Sequence, residues 1–283
     1  MKRLIINADD CGADTARNAG IFEAVRKNTV TGISILPNGP AFDDAVRRIR
    51  SIRGKDISCG LHINLSEGNP LSSGLRLLTT PDGRFHGKLP AIKLFSGNDA
   101  ALEKEIAVEL DAQIKKLLNA GIRIRHIDSH HHIHTFPAVI ETAVKAAIKY
   151  NIPRMRIPEE PVPLYGPLHI SEELAAEARI FSRYAAEARI RIETAGIRTT
   201  EHFRGLYLKG RLSLPLMKKL LPTLPDGLTE LMTHPGRADT GLSSGPFSAF
   251  STQDRELELE TLLHPDFLSI LNKYGVSLTP DSR

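Results

Sequence analysis

Apolar positions along the chain alternate between short continuous runs and longer stretches with helical spacing. Short β-branched or apolar runs predict strands, whereas apolar residues recurring every three or four positions predict helices. Asp14 is suited to cap the first helix, and Gly121 to end the clearest one, at 99–120. The predicted strands are 3–8, 30–36, 57–65, 122–128, 154–157, 202–208, 228–233 and 276–279. The predicted helices are 14–27, 42–53, 99–120, 137–150, 171–195, 214–221 and 254–274, the last broken by Pro265.

This alternation predicts one parallel β/α barrel of the TIM-like kind, a single domain spanning residues 1–283. Seven or eight β–α units follow one another without a break in composition. A doubly wound open sheet is the alternative, but no glycine-rich fingerprint follows the first strand. A loop rich in Gly, Pro and Ser occupies 66–98, and a loop of this length in a compact domain is usually functional or mobile.

Composition places the chain among ordinary globular proteins. Of its 283 residues, 41% are apolar and 25% charged, with a net charge of +4. The basic residues are dispersed and Trp is absent, so we expect no nucleic-acid partner. No apolar run approaches the ~20 residues that a membrane span needs. With Cys11 and Cys59 as the only cysteines, we expect packing thiols, no disulfide framework and a cytoplasmic location.

Histidines are concentrated in one short segment. Five of the eleven fall within nine residues, at the end of a predicted strand and directly after it: His126, His130, His131, His132 and His134. Imidazole is the commonest protein ligand for metals, so this density favours a metal site over a histidine-rich surface loop.

Other polar residues also lie on the predicted strands or at their ends. In a parallel barrel the carboxyl ends of the strands meet on one face, where active sites form. We therefore expect one cluster to contain Asp9, Asp10, His62, Asp128, His130, Arg154, Arg156 and His234. Two adjacent carboxylates beside a cation have different pKa values, because they repel each other and the cation stabilises one more than the other. They are therefore suited to different roles. One can hold the metal while its neighbour acts as a general base.

A site of one carboxylate and two imidazoles leaves open positions on a divalent ion for water and substrate. No Gly-x-Ser-x-Gly motif is present, so metal-activated water is the simplest mechanism. Two alternatives stay open: a metal-dependent phosphoesterase on a similar barrel, and a non-catalytic sugar- or metal-binding protein.

Three segments resemble the signatures of YdjC-like carbohydrate deacetylases, relatives of the polysaccharide deacetylases. They are NADDCG at 7–12, GLHINLSEG at 60–68 and HIDSHHHIH at 126–134, and they occur in the family's order. The resemblance implies a distorted β/α barrel, common homodimers, and removal of an N-acetyl group from an N-acetylated sugar or oligosaccharide. It also implies one divalent ion, Mg²⁺ above all, although two imidazoles equally suit Zn²⁺, Co²⁺ or Mn²⁺.

By motif position, the resemblance assigns the metal ligands to Asp10, His62 and His130. Asp9 then corresponds to the catalytic base, and His234 to the late histidine proposed as general acid.

Further residues are expected to support the ligands or to line the cleft: Asp128, His132, His134, Arg154 and Arg156. Asp128 in particular is expected to orient an imidazole by accepting its free ring N–H.

Two departures from the family bear on the substrate. Cys11 stands where the family usually has Phe, so we expect a different sugar-contacting surface. The helical segment at about 158–200 matches poorly, and we expect it to cover the site or to form an interface.

Overall fold

A parallel sheet of seven strands forms the centre of the computed structural model, which describes residues 1–52, 54–163, 170–238, 246–247 and 252–280. The strands are β1 (Lys2–Cys11), β2 (Gly32–Ile35), β3 (Ser58–Ile63), β4 (His126–Ser129), β5 (His202–Arg204), β6 (Gly227–Thr233) and β7 (Val276–Leu278). The helices are α1 (Thr15–Arg26), α2 (Phe42–Ser51), α3 (Lys88–Phe95), α4 (Ala100–Asn119), α5 (Pro137–Lys149), α6 (Glu172–Thr194), α7 (Leu214–Thr223), α8 (Thr252–Leu263) and α9 (Phe267–Lys273). A 3₁₀ turn covers His130–Thr135.

The strand order confirms the barrel and excludes the doubly wound alternative. Across the sheet the order is β4-β3-β2-β1-β6-β5, with every pair parallel, and β7 pairs with β1. Going from β5 through β1 to β4, strands that pair are consecutive in the chain, except β6 and β1. That arrangement belongs to a sheet curling on itself, whereas a doubly wound sheet reverses direction beside its first strand.

The barrel is distorted where β4 faces the segment at 154–157. This segment was predicted as a strand, but it forms only isolated bridges, Ile127 with Met155 and Arg154 with Arg198. Pro153 and Pro158 flank it and carry no backbone N–H, so a longer ladder cannot form there. The sheet therefore curls without a continuous ladder between β4 and β5 in the described part of the chain.

The predicted cap of the first helix is present: the Asp14 carboxylate accepts a hydrogen bond from Arg17 N at 2.7 Å. Asp99 caps α4 in the same way and accepts from Ala101 N at 2.7 Å. On α1, Ile21 and Val25 are buried against the core, as their spacing predicted. The last predicted helix is two helices, α8 and α9, separated at Pro265.

The loop at 66–98 is held in place by α4 and contains a helix of its own, α3. The Glu109 carboxylate accepts hydrogen bonds from Leu71 N at 3.0 Å and Ser72 N at 2.9 Å. One turn earlier on α4, Glu105 accepts three more from the backbone of 76–78. These carboxylates thus accept the backbone hydrogen bonds of the part of the loop that has no regular secondary structure. Every helix that the structure describes is too short or too polar to cross a lipid bilayer.

Candidate metal centre and active site

The paired aspartates both face one cavity at the carboxyl end of β1. Side chains at successive strand positions normally point to opposite faces. Here Asp10 has a left-handed backbone, φ 62°, and the register of β1 with β2 shifts between Ala8 and Cys11. Because of this irregularity, Asp9 and Asp10 both line the cavity.

Asp10, His62 and His130 come together as expected. Asp10 Oδ1 lies 3.4 Å from His62 Nε2 and 2.9 Å from His130 Nδ1. One ligand atom from each of the three residues lies within 4.8 Å of the others. Residues 52 and 68 positions apart in the sequence therefore share one point at the mouth of the barrel, because β1, β3 and the turn after β4 end on the same face.

Charge around these three residues is closely balanced. Burial alone would raise the pKa of Asp10, but His130 and Arg255 hold it well below its usual range, and Arg255 Nη2 lies 2.6 Å from Asp10 Oδ2. Burial alone would lower the pKa of His62, yet Asp128 and Asp10 raise it to about 10. The carboxylates around His62 therefore favour a positive charge at this point of the cavity.

Each of the two imidazoles has a carboxylate on its other side. Asp128 Oδ1 lies 2.7 Å from His62 Nδ1, which is the contact expected of it. Glu67 Oε2 lies 3.6 Å from His130 Nε2, and the backbone N–H of Phe247 donates to Glu67 at 2.7 Å. Imidazole ligands commonly need such partners to fix the ring and its tautomer.

Asp9 is held apart from the three candidate ligands by a buried arginine. Arg156 Nη1 and Nη2 bind the two oxygens of Asp9 at 2.6 and 2.7 Å, and Asn7 Nδ2 donates to Asp9 Oδ1 at 2.7 Å. Burial raises the pKa of Asp9, while Arg156 opposes the rise. Asp9 thus lines the cavity, and its negative charge is balanced by the Arg156 guanidinium.

Arg154 and Arg156 support the site from behind instead of lining the cleft. Both are buried, and both bind Glu230 on β6, through Arg154 Nη1 and Arg156 Nε at 2.7 Å each. Arg156 Nη2 also lies 2.7 Å from Asp128 Oδ2. Neither arginine is among the residues around the cavity, so of the two roles expected of them the geometry favours support of the ligands.

His132 and His134 occupy different places. His132 lines the cavity and packs edge-on against Phe181 of α6, with ring centroids 5.0 Å apart. His134 lies behind it, with Nδ1 2.6 Å from Ser129 Oγ and Nε2 2.9 Å from the Arg156 carbonyl. The 3₁₀ turn has left-handed residues at His131 and His132, which is why neighbouring imidazoles diverge.

His234 enters the cavity from the end of β6. Its backbone N–H donates to Glu258 Oε2 at 2.6 Å, and Gly210 N donates to Glu258 Oε1 at 2.7 Å. Burial lowers the pKa of His234 well below its usual value, so its imidazole is neutral at pH 7. His234 lines the same cavity as Asp9 and Asp10.

The cavity combines charged groups with an apolar wall. Among the apolar residues around it are Leu174, Ala178 and Phe181 of α6, together with Leu206, Met232 and Phe247. The segment at 158–200 therefore covers the site through α6, one of the two roles expected of it. Residues 164–169 of that segment lie outside the described residues.

Cys11 does not shape the cavity. Its side chain is fully buried in the core and is not among the residues around the cavity. Burial raises the pKa of the Cys11 thiol well above its usual value and that of Cys59 to about 12. Both are packing thiols.

The donor set of Asp10, His62 and His130 fits a divalent cation. Ligand atoms ~2.0–2.2 Å from a common ion can be at most about 4.4 Å apart, close to the spacing found here. A second group, formed by Asp9, His62 and Asp128, is also compact. There the Arg156 guanidinium already bonds both carboxylates, so no ion is needed.

Sequence reasoning missed several residues around this centre. Glu67 lies within the GLHINLSEG segment at 60–68, so its place in a family motif could have identified it. Arg255, Glu230 and Glu258 carried no signal, because each meets its partner only through the fold.

Comparison with known proteins identifies the family. The model of the YdjC-like protein family matches residues 3–273. A carbohydrate deacetylase of Mus musculus is 32% identical over 296 residues, covering 98% of this chain and 93% of the relative. A carbohydrate deacetylase of Thermoanaerobacter pseudethanolicus is 29% identical, covering 99% of this chain and 98% of the relative.

A solved structure shares the fold. A candidate cellobiose-phosphate cleavage protein of Enterococcus faecalis V583 superposes with a TM-score of 0.75 at 26% identity, covering 99% of this chain and 97% of that one. The chain belongs to the YdjC-like family, which confirms the resemblance found in its sequence.

Proposed function

We propose that this member of the YdjC-like family is a metal-dependent carbohydrate deacetylase, which hydrolyses the N-acetyl group of an N-acetylated sugar. One observation carries the proposal: Asp10, His62 and His130 converge at a cavity into which a separate carboxylate, Asp9, also points. A protein that only bound metal or sugar would not need that second carboxylate. The names of the relatives support the same activity.

Asp10, His62 and His130 are the proposed metal ligands. A divalent ion held there would polarise the acetyl carbonyl and make a water more acidic. Asp10 supplies a negative charge at neutral pH, because its pKa is held well below the usual range. Asp128 and Glu67 keep the two rings turned toward Asp10.

Asp9 is the proposed general base. It takes one proton from the water whose oxygen attacks the acetyl carbon. Burial raises its pKa, so the ionised carboxylate is a stronger base than an exposed aspartate. Arg156 and Asn7 fix its orientation, so the accepting oxygen does not have to be ordered during the reaction.

His234 is the proposed proton donor to the departing amine. Because its imidazole is neutral in the resting site, His234 first has to receive the proton that Asp9 took from the water; it then passes that proton to the nitrogen, and Asp9 returns to its ionised form. Glu258 holds its backbone in place. The apolar wall formed by Phe181, Leu206 and Met232 suits the acetyl methyl group, and the charged side suits sugar hydroxyls.

We further propose that the ion is Mg²⁺ and that the chain forms a homodimer, as the family resemblance implies. Elemental analysis of purified protein tests the ion, with one ion per chain expected. Sedimentation equilibrium tests the dimer.

An acetate-release assay tests the activity. The chelator-treated chain is reloaded separately with Mg²⁺, Zn²⁺, Co²⁺ or Mn²⁺ and offered N-acetylglucosamine, its short oligomers and lipid-linked forms. We expect acetate release that depends on added metal. A parallel assay follows phosphate release from phosphorylated sugars. Phosphate release without acetate would replace the proposal by the phosphoesterase alternative. The exposed His264→Ala variant is the matched control for loss of one histidine.

A further inference from the structure

A chain of buried hydrogen bonds runs from Ser58 to His62 behind the candidate metal centre. Ser58 Oγ lies 3.1 Å from His126 Nδ1, and His126 Nε2 lies 3.0 Å from Ser34 Oγ. Ser34 Oγ lies 2.6 Å from Asp128 Oδ2, and Asp128 Oδ1 lies 2.7 Å from His62 Nδ1. All five side chains are buried, with at most 2% of their surface exposed.

We propose that His126 is a positioning residue: by donating to Ser34 it keeps the Ser34 hydroxyl directed at Asp128, and so holds in place the carboxylate that accepts from His62 Nδ1 and leaves Nε2 for the metal. The inference rests on the metal site of the proposed function. Nothing in the sequence separates His126 from the other histidines of its cluster.

The direction follows from the single hydrogen of Ser34. Its hydroxyl has three polar neighbours: Asp128 Oδ2, His126 Nε2 and Asn7 Nδ2, the last at 2.7 Å. An ionised carboxylate only accepts hydrogen bonds, so the hydroxyl hydrogen goes to Asp128. Ser34 must then accept from both nitrogens, which fills its two lone pairs.

This leaves one tautomer for His126. Its Nε2 carries the hydrogen donated to Ser34, and its Nδ1 accepts from the Ser58 hydroxyl. Burial, reinforced by the charge of Arg154, lowers the pKa of His126 to about 3, so the ring holds one proton only. Protonation of Nδ1 instead would leave two lone pairs facing each other at Ser34 or take the hydroxyl hydrogen from Asp128.

The ordered hydrogen bonds hold the Asp128 carboxylate in place for His62. With Ser34 and Arg156 both donating to Asp128 Oδ2, its Oδ1 is left to accept from His62 Nδ1. The His62 nitrogen left to face a metal is therefore Nε2, which lies 3.4 Å from Asp10 Oδ1.

Gly60 provides the space for this arrangement. A Cβ added there would lie 2.2 Å from His126 Nε2 and 2.5 Å from its Cε1. The ring lies directly against the β3 backbone, which accounts for a glycine inside a buried strand.

The tautomer is measured directly by ¹⁵N-histidine NMR at neutral pH, on the metal-free chain and on the chain loaded with diamagnetic Zn²⁺. We expect His126 as the neutral Nε2–H form in both, and His62 with Nδ1–H in the Zn²⁺ form. A His126 ring protonated on Nδ1 would overturn the proposal. This reading needs no substrate, so it stays separate from success or failure of the acetate assay.

Two variants test the effect on the metal. In His126→Gln the side-chain amide retains a donor for Ser34, whereas His126→Leu has none. Loss of a group that supports a ligand typically weakens metal binding ~10–100-fold. By calorimetric titration with Zn²⁺, we expect His126→Leu to bind about 10-fold more weakly than wild type, and His126→Gln to recover most of the loss.

The control is His264→Leu, which removes an exposed histidine and should bind as wild type does. Wild-type affinity in a folded His126→Leu variant would overturn the inference, as would equal losses in the Gln and Leu variants. If His126→Leu does not fold, the wild-type NMR measurement still decides. If wild type binds no Zn²⁺, the metal site of the proposed function fails, and with it the effect on the metal, whereas the NMR reading of His126 is still obtained.

Discussion

Gly60→Ala is the most demanding test of the packing behind the site. The backbone of Gly60 is not left-handed, so alanine adds no strain of its own there. Its methyl group would nevertheless lie 2.2 to 2.5 Å from three atoms of the His126 ring, whereas ordinary contacts begin near 3.4 Å. The ring would have to move by roughly 1 Å.

The expected cost combines overpacking with lost hydrogen bonds. Inserting a methyl group into a well-packed core costs about 1–3 kcal/mol. A shift of this size would also stretch the His126 contacts with Ser34 and Ser58, now 3.0 and 3.1 Å, beyond hydrogen-bonding distance. Each lost bond is worth about 1 kcal/mol net. Alanine in place of glycine also lowers the conformational entropy of the unfolded chain, which stabilises the folded state by somewhat less than about 1 kcal/mol. We expect a net loss of about 2–4 kcal/mol in the free energy of unfolding.

Urea unfolding of the metal-free chain, followed by circular dichroism, measures this loss. Gly97→Ala is the matched control, since its added Cβ would meet only the Leu94 carbonyl, at 3.9 Å. We expect that control to stay within about 1 kcal/mol of wild type. In a double variant with His126→Ala the clash disappears, so the two losses should not add.

Equal stability of Gly60→Ala and Gly97→Ala would refute this reasoning. Additive losses in the double variant would show that the cost arises elsewhere than at His126.

Three further outcomes are expected. Asp9→Asn should keep stoichiometric metal but lose about 10²- to 10⁴-fold in kcat for acetate release, because the amide cannot take the water's proton; normal turnover would exclude Asp9 as the base. His62→Ala should lose the metal as well as activity, measured as metal content after dialysis, and retention of one ion per chain would exclude His62 as a ligand. Burial raises the pKa of Glu258 to about 7, above its value of 4.5 when unfolded, so its contribution to stability is full below pH 4.5 and is lost as pH rises to 7. Urea unfolding across that range should therefore show a decline of up to about 3 kcal/mol from this residue, reduced in Glu258→Gln, and an unchanged pH slope in that variant would contradict it.

Local features of the fold were predictable because their causes lie within a few residues. The caps at Asp14 and Asp99 depend on hydrogen bonds to the next two or three residues. The segment at 154–157 was predicted as a strand, but it pairs only through isolated bridges. Its flanking prolines were the missed signal.

The sequence by itself determined which residues were available for chemistry and that Asp10, His62 and His130 would meet, because parallel strands end on a common face of the barrel. Only the tertiary structure decided how those residues are held. Arg156 reaches Asp9 across 147 positions and Arg255 reaches Asp10 across 245. The direction in which Asp10 points depends on a left-handed backbone angle at the end of β1. The physical reason is that hydrogen bonds and charges act at a few ångströms in space, and separation along the chain does not fix that distance until the barrel has formed.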